Sequence, residues 1–273
     1  MQEITLVTLE EWREMTNVSD FVITGPPCEE LMALQQSGYP VLAELTHLQG
    51  LSEEAVAEAL CKEEAIRGFT NVCIHARELP QGYLRRIWCK HQGKPVLIAE
   101  TDRLIIREST VEDAEAFYEL YQDEACRKYL ERPPVEECGN RAQNIKEYER
   151  YIVDYQKGQY GFYEYGMWSV VEKESGRCVG RAGVEQQSWG EDGKEQLSCM
   201  EACGLCLGYA LLPEVCGKGY ATEACRVILE YCRECGYGEC LVVKIKKENA
   251  SSLSLYKRLE KQSPMTLKLF EVL

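Results

Sequence analysis

Positive charge is scarce in this sequence. Its 31 Lys and Arg residues stand against 45 Asp and Glu residues, which gives a net charge of −14 over 273 residues. Because nucleic-acid binding needs a clustered basic surface, this shortage argues against nucleic acid as the main ligand. An acidic surface is compatible with a cationic acceptor, although many acidic proteins simply stay soluble in this way.

Long apolar runs are also missing. No stretch approaches the ~20 residues that a membrane helix requires. The chain starts with MQEITLVTLEEWREM, which is acidic where a secretory signal would be basic. The sequence therefore predicts a cytoplasmic protein with no membrane partner, and its length predicts two domains or one large one.

Histidine is rare and cysteine is abundant, with 3 and 15 residues. The odd cysteine count and the absence of a secretion signal favour a reducing compartment, in which cysteine acts as a small buried hydrophobe. The CGLC segment at 203–206 and the CREC segment at 232–235 leave a zinc-binding module as one hypothesis. Strand alternation would send Cys203 and Cys206 to opposite faces, so we expect no metal.

The first hundred residues alternate between strand and helix patterns. Apolar runs in DFVITGPP, YPVLAELTH and TNVCIHA predict strands, and the segments between and after them have helical spacing, with Ser52 as an N-cap. This alternation predicts a small α/β domain over residues 1–98, with a parallel sheet and right-handed crossovers. The domain loosely resembles part of a haloacid-dehalogenase-like domain, but the Asp-x-Asp of that family is missing. We therefore expect it to be catalytically silent.

The second half has a different order of elements. LIIR predicts a strand, and Ser109 with Glu112 matches a capping box before a helix. A second helix, a hairpin around KESG, the polar loop SWGEDGKEQ and a long strand follow. The chain then continues through a Gly-rich turn, a helix, a strand and a last helix.

The Gly-rich turn EVCGKGYAT lies between the long strand and a helix. Gly217 and Gly219 allow a sharp turn and close approach to a ligand. The first turn of a helix has unpaired amides and favours anions, so the turn could hold a pyrophosphate, with charge from Lys218 and a hydroxyl from Thr222. On spacing alone, a plain strand-to-helix connection remains the alternative.

The order of elements, together with three segments, resembles the GNAT acetyltransferase superfamily and is closest to its ribosomal-protein N-acetyltransferase branch. The segments are ETDRLIIRESTVEDAEAFYELY, LGYALLPEVCGKGYATEA and ENASSLSLYKRL. The resemblance covers about residues 100 to 260. It implies an α+β domain over residues 99–273 with a mixed, mostly antiparallel central sheet. It also implies acetyl-CoA as cosubstrate. We expect a monomer or a homodimer.

The resemblance implies a set of residues at the cofactor. Gly219 and Ala221 match the turn that binds the pyrophosphate through backbone amides, whereas Cys216 replaces a polar residue of that pattern. The central strand would pair with the pantetheine arm, and the last helix would meet the cofactor. The full implied set is Leu211, Leu212, Cys216, Gly217, Lys218, Gly219, Tyr220, Ala221, Thr222, Asn249 and Ser252.

The catalytic residues are less defined. Tyr256 falls where the family commonly has a tyrosine that protonates the leaving thiolate, although a core role would also suit it. Relatives often carry a glutamate as base where this chain has Cys206. Glu185 and Glu201 are the candidate bases, and a chain of water molecules is the alternative.

The resemblance predicts acetyl transfer to a primary amine, and it leaves the acceptor open among peptide N-termini, amino acids, polyamines and aminoglycosides. After the last helix, TLKLFEVL supplies one of the two strands that the family usually adds. This shortened C-terminus and Cys206 support an alternative function, a non-catalytic acyl-CoA sensor or interaction module.

Overall fold

The computed structural model describes residues 3–16, 19–130, 133–186 and 204–272. The chain divides into two compact units, Met1–Val96 and Leu97–Leu273. The sequence placed the boundary two residues later. The loop SWGEDGKEQ lies outside the described residues. Within the described part, no helix is long and apolar enough to span a membrane.

The first unit contains a four-stranded sheet in the order β1-β2-β3-β4, with every neighbouring pair parallel. Its strands are β1 (Thr5–Thr8), β2 (Phe21–Gly25), β3 (Val41–Glu44) and β4 (Val72–Cys73). Its helices are α1 (Leu9–Glu14), α2 (Glu29–Gln36), α3 (Glu53–Lys62) and α4 (Gln81–His91). The predicted parallel sheet is confirmed. Sequence patterning missed β1 and α1, which are too short to show a clear period.

Alternating side chains give this sheet two buried faces. Val22 and Leu42 pack with α4 on one face. Ile23 packs with Leu9 of α1 and Leu31 of α2 on the other. Successive residues of a strand point to opposite faces, so strands covered on both sides become continuous apolar runs.

The second unit contains a seven-stranded sheet in the order β11-β10-β9-β8-β7-β6-β5. Its strands are β5 (Leu97–Glu100), β6 (Leu104–Arg107), β7 (Met167–Glu172), β8 (Cys178–Gln186), β9 (Leu205–Leu211), β10 (Cys240–Lys246) and β11 (Thr266–Val272). The neighbours from β5 to β9 are antiparallel, and β9, β10 and β11 run parallel. The predicted mixed, mostly antiparallel sheet is confirmed.

Helices cover both faces of the second sheet. They are α5 (Ala114–Gln122), α6 (Glu124–Arg127), α7 (Arg141–Tyr155), α8 (Tyr220–Glu234) and α9 (Ala250–Glu260). Helix α7 continues into a π-helix, Gln156–Tyr163. Val171 of β7 packs with α5 and α7. Trp168, three residues earlier on the same strand, makes an edge-to-face contact with Tyr231 of α8. Helices α5 and α7 therefore lie on the opposite face from α8.

The capping box before α5 lies one residue later than predicted. Thr110 and Asp113 form it, not Ser109 and Glu112. The Ser109 hydroxyl is buried and lies 3.2 Å from the Tyr160 hydroxyl. The partner in the capping box is Asp113 because its carboxylate also accepts two hydrogen bonds from the Arg107 guanidinium, at 2.7 and 2.9 Å.

Removing the Asp113 carboxylate is expected to destabilise this unit. Asp113 is 2% exposed and accepts hydrogen bonds from Arg107 and Ser169. Asp113→Ala leaves the guanidinium without its partner, so we expect a loss of roughly 3–5 kcal/mol in the free energy of unfolding. Urea denaturation measures it. The exposed neighbour Glu112→Ala is the control, with a change within about 0.5 kcal/mol. Equal losses in both variants would contradict the assignment.

Candidate active site

Strands β9 and β10 begin as a parallel pair and then separate. Their ladder contains two residue pairs, Leu205 with Leu241 and Cys206 with Val242, although each strand has seven residues. Beyond these pairs, the edge of β9 that faces β10 has no ladder partner in β10. A gap therefore opens toward the carboxyl ends of the two strands.

The Gly-rich turn follows directly from the open end of β9. The 3-10 turn Pro213–Val215 leads into Gly217 and Gly219, whose φ angles are +79° and +83°. An L-residue would be strained in this left-handed region, which explains both glycines. A Cβ at Gly217 would meet nothing within 4 Å, so the turn is open on that side.

Gly219 is the N-cap of the 15-residue helix α8. The first amides of a helix have no partner within it, and the helix dipole makes this end attractive to anions. Ala221 and Thr222 lie half-buried in this first turn, and Cys216 is exposed just before it. The backbone of the turn can therefore hold an anionic group.

Two side chains of the turn do not point where the sequence analysis expected. Lys218 forms an ion pair with Glu172 of β7, with Nζ 3.7 Å from the carboxylate. Tyr220 is 6% exposed and donates a hydrogen bond to the same carboxylate at 2.7 Å. Both side chains thus link the turn to β7, because the Glu172 carboxylate pairs with the Lys218 charge and accepts the hydrogen bond from Tyr220.

Sequence reasoning missed Arg103, which lies outside the Gly-rich turn in sequence but contacts it in the fold. Its Nη1 donates to the Lys218 carbonyl at 2.9 Å, and its guanidinium lies 4.6 Å from the centre of the Tyr220 ring. It also donates to Glu223. Burial raises the pKa of Glu223, but hydrogen bonds from Thr101 and Arg103 outweigh it and lower that pKa overall. No spacing rule could find Arg103, since 115 residues separate it from Lys218.

Helix α9 borders the gap at its amino end. The Asn249 side chain caps this helix by accepting from the Ser252 amide at 3.1 Å, so a cofactor contact is not its first role. The Ser252 hydroxyl accepts from the Tyr209 hydroxyl at 2.8 Å. Tyr209 lies three residues past Cys206, in the part of β9 that has left β10. This contact bridges strand and helix beside the gap, and sequence reasoning missed it.

The two leucines at the end of β9 serve the core with their side chains. Leu211 is 8% exposed and Leu212 is 3% exposed. Leu212 belongs to the cluster under α5 and α7, and its amide donates to Val179 at 2.8 Å. Only backbone groups of this segment are therefore in a position to face a ligand.

Tyr256 lies one helical turn after Ser252, toward the closed end of the gap. It is 6% exposed, and its hydroxyl lies 2.7 Å from the Glu260 carboxylate and 3.1 Å from the Leu267 carbonyl, which share its one proton. Burial, followed by the Glu260 carboxylate, raises the pKa of Tyr256 to about 12. The phenol is thus protonated at neutral pH, with its hydroxyl directed toward β11.

Glu185 lies directly opposite Cys206 in the antiparallel pair of β8 and β9. Paired residues share a face of the sheet, so the carboxylate stands beside the cysteine that replaces the glutamate of the resemblance. Tyr155 of α7 donates its hydroxyl proton to Glu185 and accepts from the Met167 amide at 2.8 Å. Glu201, the other candidate base, lies outside the described residues.

A buried cation accompanies Glu185 on β8. Arg181 is 4% exposed, and its guanidinium carbon lies 4.7 Å from the Phe117 ring and 5.2 Å from the Tyr155 ring. Burial first, and then the Glu185 carboxylate, raise the pKa of Tyr155 far above its ordinary value. Tyr155 therefore stays protonated and keeps donating to Glu185. Arg181 carries no motif, and sequence reasoning missed it.

The described cysteines that suggested zinc belong to two different elements. Cys206 is buried in β9, and Cys232 is buried within the core-facing side of α8. Within the described ranges, no group of three His, Cys, Asp or Glu residues could hold a metal ion. Cys203, the first cysteine of the CGLC segment, lies outside those ranges.

Comparison with known proteins adds a family and three similar structures. A model of the acetyltransferase (GNAT) domain matches residues 103–261. A GNAT-family acetyltransferase from Bacillus anthracis is 18% identical over 59% of this chain and 80% of that one, with a TM-score of 0.43. The ribosomal-protein-S5-alanine acetyltransferase from Vibrio fischeri is 16% identical over 59% of this chain and 80% of that one, with a TM-score of 0.41. The microcin C7 self-immunity acetyltransferase, solved with acetyl-CoA and AMP, is 18% identical over 58% of this chain and 78% of that one, with a TM-score of 0.40.

The family match covers more than half of the chain and begins at Arg103, the residue that braces the Gly-rich turn. It does not extend into the first unit. The haloacid-dehalogenase-like resemblance of that unit therefore stays a prediction.

Proposed function

Because this chain belongs to the GNAT acetyltransferase family, with acetyl-CoA as its cosubstrate, we propose that it transfers the acetyl group to a primary amine. The observation that carries this proposal is the separation of β9 from β10 just before the left-handed glycines at the start of α8. The open edge of β9 therefore leads directly to the amino end of α8, where an anionic group can bind.

The described residues fit the cosubstrate. The amides around Gly219 and the first turn of α8 would hold the pyrophosphate. The edge of β9 that no longer pairs with β10 offers backbone groups to the amide groups of the pantetheine arm. At its end, the Leu211 carbonyl already accepts from the Cys126 thiol at 3.4 Å. When bound, acetyl-CoA supplies an activated thioester. Side-chain contacts from Cys216 and Lys218 are not needed for this fit.

Two side chains are proposed to move protons. Glu185 accepts the proton that the acceptor amine loses as its nitrogen forms the new bond to the acetyl carbon. Tyr256 supplies a proton to the sulfur as the carbon–sulfur bond breaks. Helix α9 runs back from the mouth of the gap, so Tyr256 lies nearer than Ser252 to the closed end. The Tyr256 hydroxyl would have to leave both the Glu260 carboxylate and the Leu267 carbonyl to reach the sulfur.

The test is release of the thiol from acetyl-CoA by the purified full-length chain, measured with and without primary amines across a pH series. Amine-dependent release is expected. An acyl-CoA sensor would bind acetyl-CoA, as seen by calorimetry, and yet release no thiol with any amine at any pH. That second result would overturn the proposal and leave the cofactor site intact.

Loss of the Tyr256 hydroxyl is expected to slow the reaction. Tyr256→Phe should lower kcat about ten- to a hundredfold while KM for acetyl-CoA stays the same, because a proton donor acts on turnover and not on cofactor binding. Steady-state kinetics measures both. Tyr118→Phe, on α5, is the matched control and should keep the wild-type kcat. A wild-type kcat in Tyr256→Phe would remove this phenol from the mechanism.

A further inference from the structure

Glu185 lies where the gap between β9 and β10 begins. It pairs with Cys206 across β8 and β9, and Cys206 belongs to the last residue pair that joins β9 to β10. Glu185 is also the penultimate residue of β8, and its side chain is half-buried. A glutamate side chain has several rotatable bonds and loses entropy when it is held. A base in this place therefore needs a partner that fixes its carboxylate.

The two oxygens of the Glu185 carboxylate have different surroundings. Oε1 accepts a hydrogen bond from the Tyr155 hydroxyl. Within the described ranges, Oε2 has no hydrogen-bond or ion-pair partner. Both oxygens of an ionised carboxylate can accept. Oε2 is therefore the oxygen that can take a proton from an amine while Oε1 stays bound to Tyr155.

Tyr155 is itself held on several sides. It is the last residue of α7, and its hydroxyl accepts from the Met167 amide at 2.8 Å. Its ring lies edge-on to Tyr160, with the ring centres 5.0 Å apart, and the Arg181 guanidinium carbon lies 5.2 Å from its centre. A Cβ at Gly166 would lie 2.7 Å from the hydroxyl, so only glycine leaves room for it there. The hydroxyl is thus held in one place.

Tyr160 shows what a purely structural tyrosine looks like in the same surroundings. It is 1% exposed, and its hydroxyl donates to the Met167 carbonyl at 2.7 Å. The same hydroxyl lies 3.2 Å from the Ser109 hydroxyl. Tyr155 and Tyr160 therefore both bind the backbone of Met167, but Tyr155 binds the proposed base in addition. This difference allows the two roles to be separated by experiment.

We propose that Tyr155 is a positioning residue for the acetyl transfer, which holds Oε1 of Glu185 and leaves Oε2 to the incoming amine. The amine nitrogen gives its proton to Oε2 as it bonds to the acetyl carbon, and Tyr155 keeps its own proton throughout. Positioning of this kind acts on turnover, because a displacement of about 1 Å can cost about a hundredfold in rate. This inference rests on the proposed function, because it names how the same base is held.

The test compares Tyr155→Phe with Tyr160→Phe in the release of thiol from acetyl-CoA. Butylamine, spermidine and alanine amide are offered to the wild type, and the amine with the highest turnover is used for the variants. Tyr155→Phe should lower kcat about ten- to a hundredfold, with the KM for acetyl-CoA unchanged. Tyr160→Phe also removes one hydroxyl and keeps the ring, and it should retain the wild-type kcat.

A double variant separates positioning from a structural effect. Once Glu185→Gln has removed the base, Tyr155 has no base to position. Adding Tyr155→Phe to Glu185→Gln should therefore leave the residual turnover unchanged, as expected for residues that act as a unit. A structural loss would instead lower turnover by the same factor in both backgrounds.

The inference and the proposed function fail in different ways. A wild-type kcat in Tyr155→Phe, an equal loss in Tyr160→Phe, or the same further loss in the double variant would overturn the inference alone. If the wild type releases no thiol with any of the three amines, the proposed function fails and the inference falls with it. If Glu185→Gln keeps the wild-type turnover, the base is wrong, and Tyr155 has no part in catalysis through it.

Discussion

Acetyl-CoA binding is expected to be lost when Gly219 is replaced by glutamate. Gly219 has a left-handed φ of +83° and caps α8 at the point where the turn amides converge. A side chain at this position is strained, costing about 1–2 kcal/mol. It also adds a negative charge to the turn, with the Cβ 3.6 Å from Arg103 Nη2. Backbone strain and charge repulsion act together, so we expect Kd to rise more than a hundredfold.

Calorimetry on the wild type and the variant measures this loss. Gly176→Glu is the matched control, because Gly176 also has a left-handed φ, of +67°, and open space at its Cβ position. It lies in the hairpin turn between β7 and β8, so it introduces the same strain and charge away from the Gly-rich turn. Unchanged binding in Gly219→Glu would move the cofactor site elsewhere.

Turnover is expected to fall about a hundred- to a thousandfold in Glu185→Gln, in the range that general-base catalysis contributes. Glutamine keeps the size of the side chain and can still accept the Tyr155 hydrogen bond, but it cannot take a proton from the amine. The Kd for acetyl-CoA should stay at the wild-type value.

Steady-state kinetics over pH tests this second prediction. Glu174→Gln, exposed in the hairpin turn, controls for removal of one negative charge from the same unit. If Glu185→Gln keeps the wild-type turnover, the base is another group or a chain of water molecules. Glu201→Gln would then be the next variant to measure.

The sequence by itself determined the parts of this protein that depend on neighbouring residues. The alternation of apolar runs and helical spacing predicted the parallel sheet of the first unit, since each period reports one local conformation. Paired glycines before an amphipathic stretch predicted the turn at Gly217 and Gly219 and the start of α8. The hairpin at KESG was predicted in the same way.

Only the tertiary structure decided which distant residues meet. Arg103 braces a turn 115 residues away, Glu185 stands opposite Cys206 through strand register, and Tyr209 reaches Ser252 across the edge of the gap. The helix cap is Thr110 and not the predicted Ser109, because Asp113, its partner in the capping box, also binds Arg107. Local propensity cannot contain such information, because sheet register and ion pairs depend on how elements far apart in sequence pack against each other.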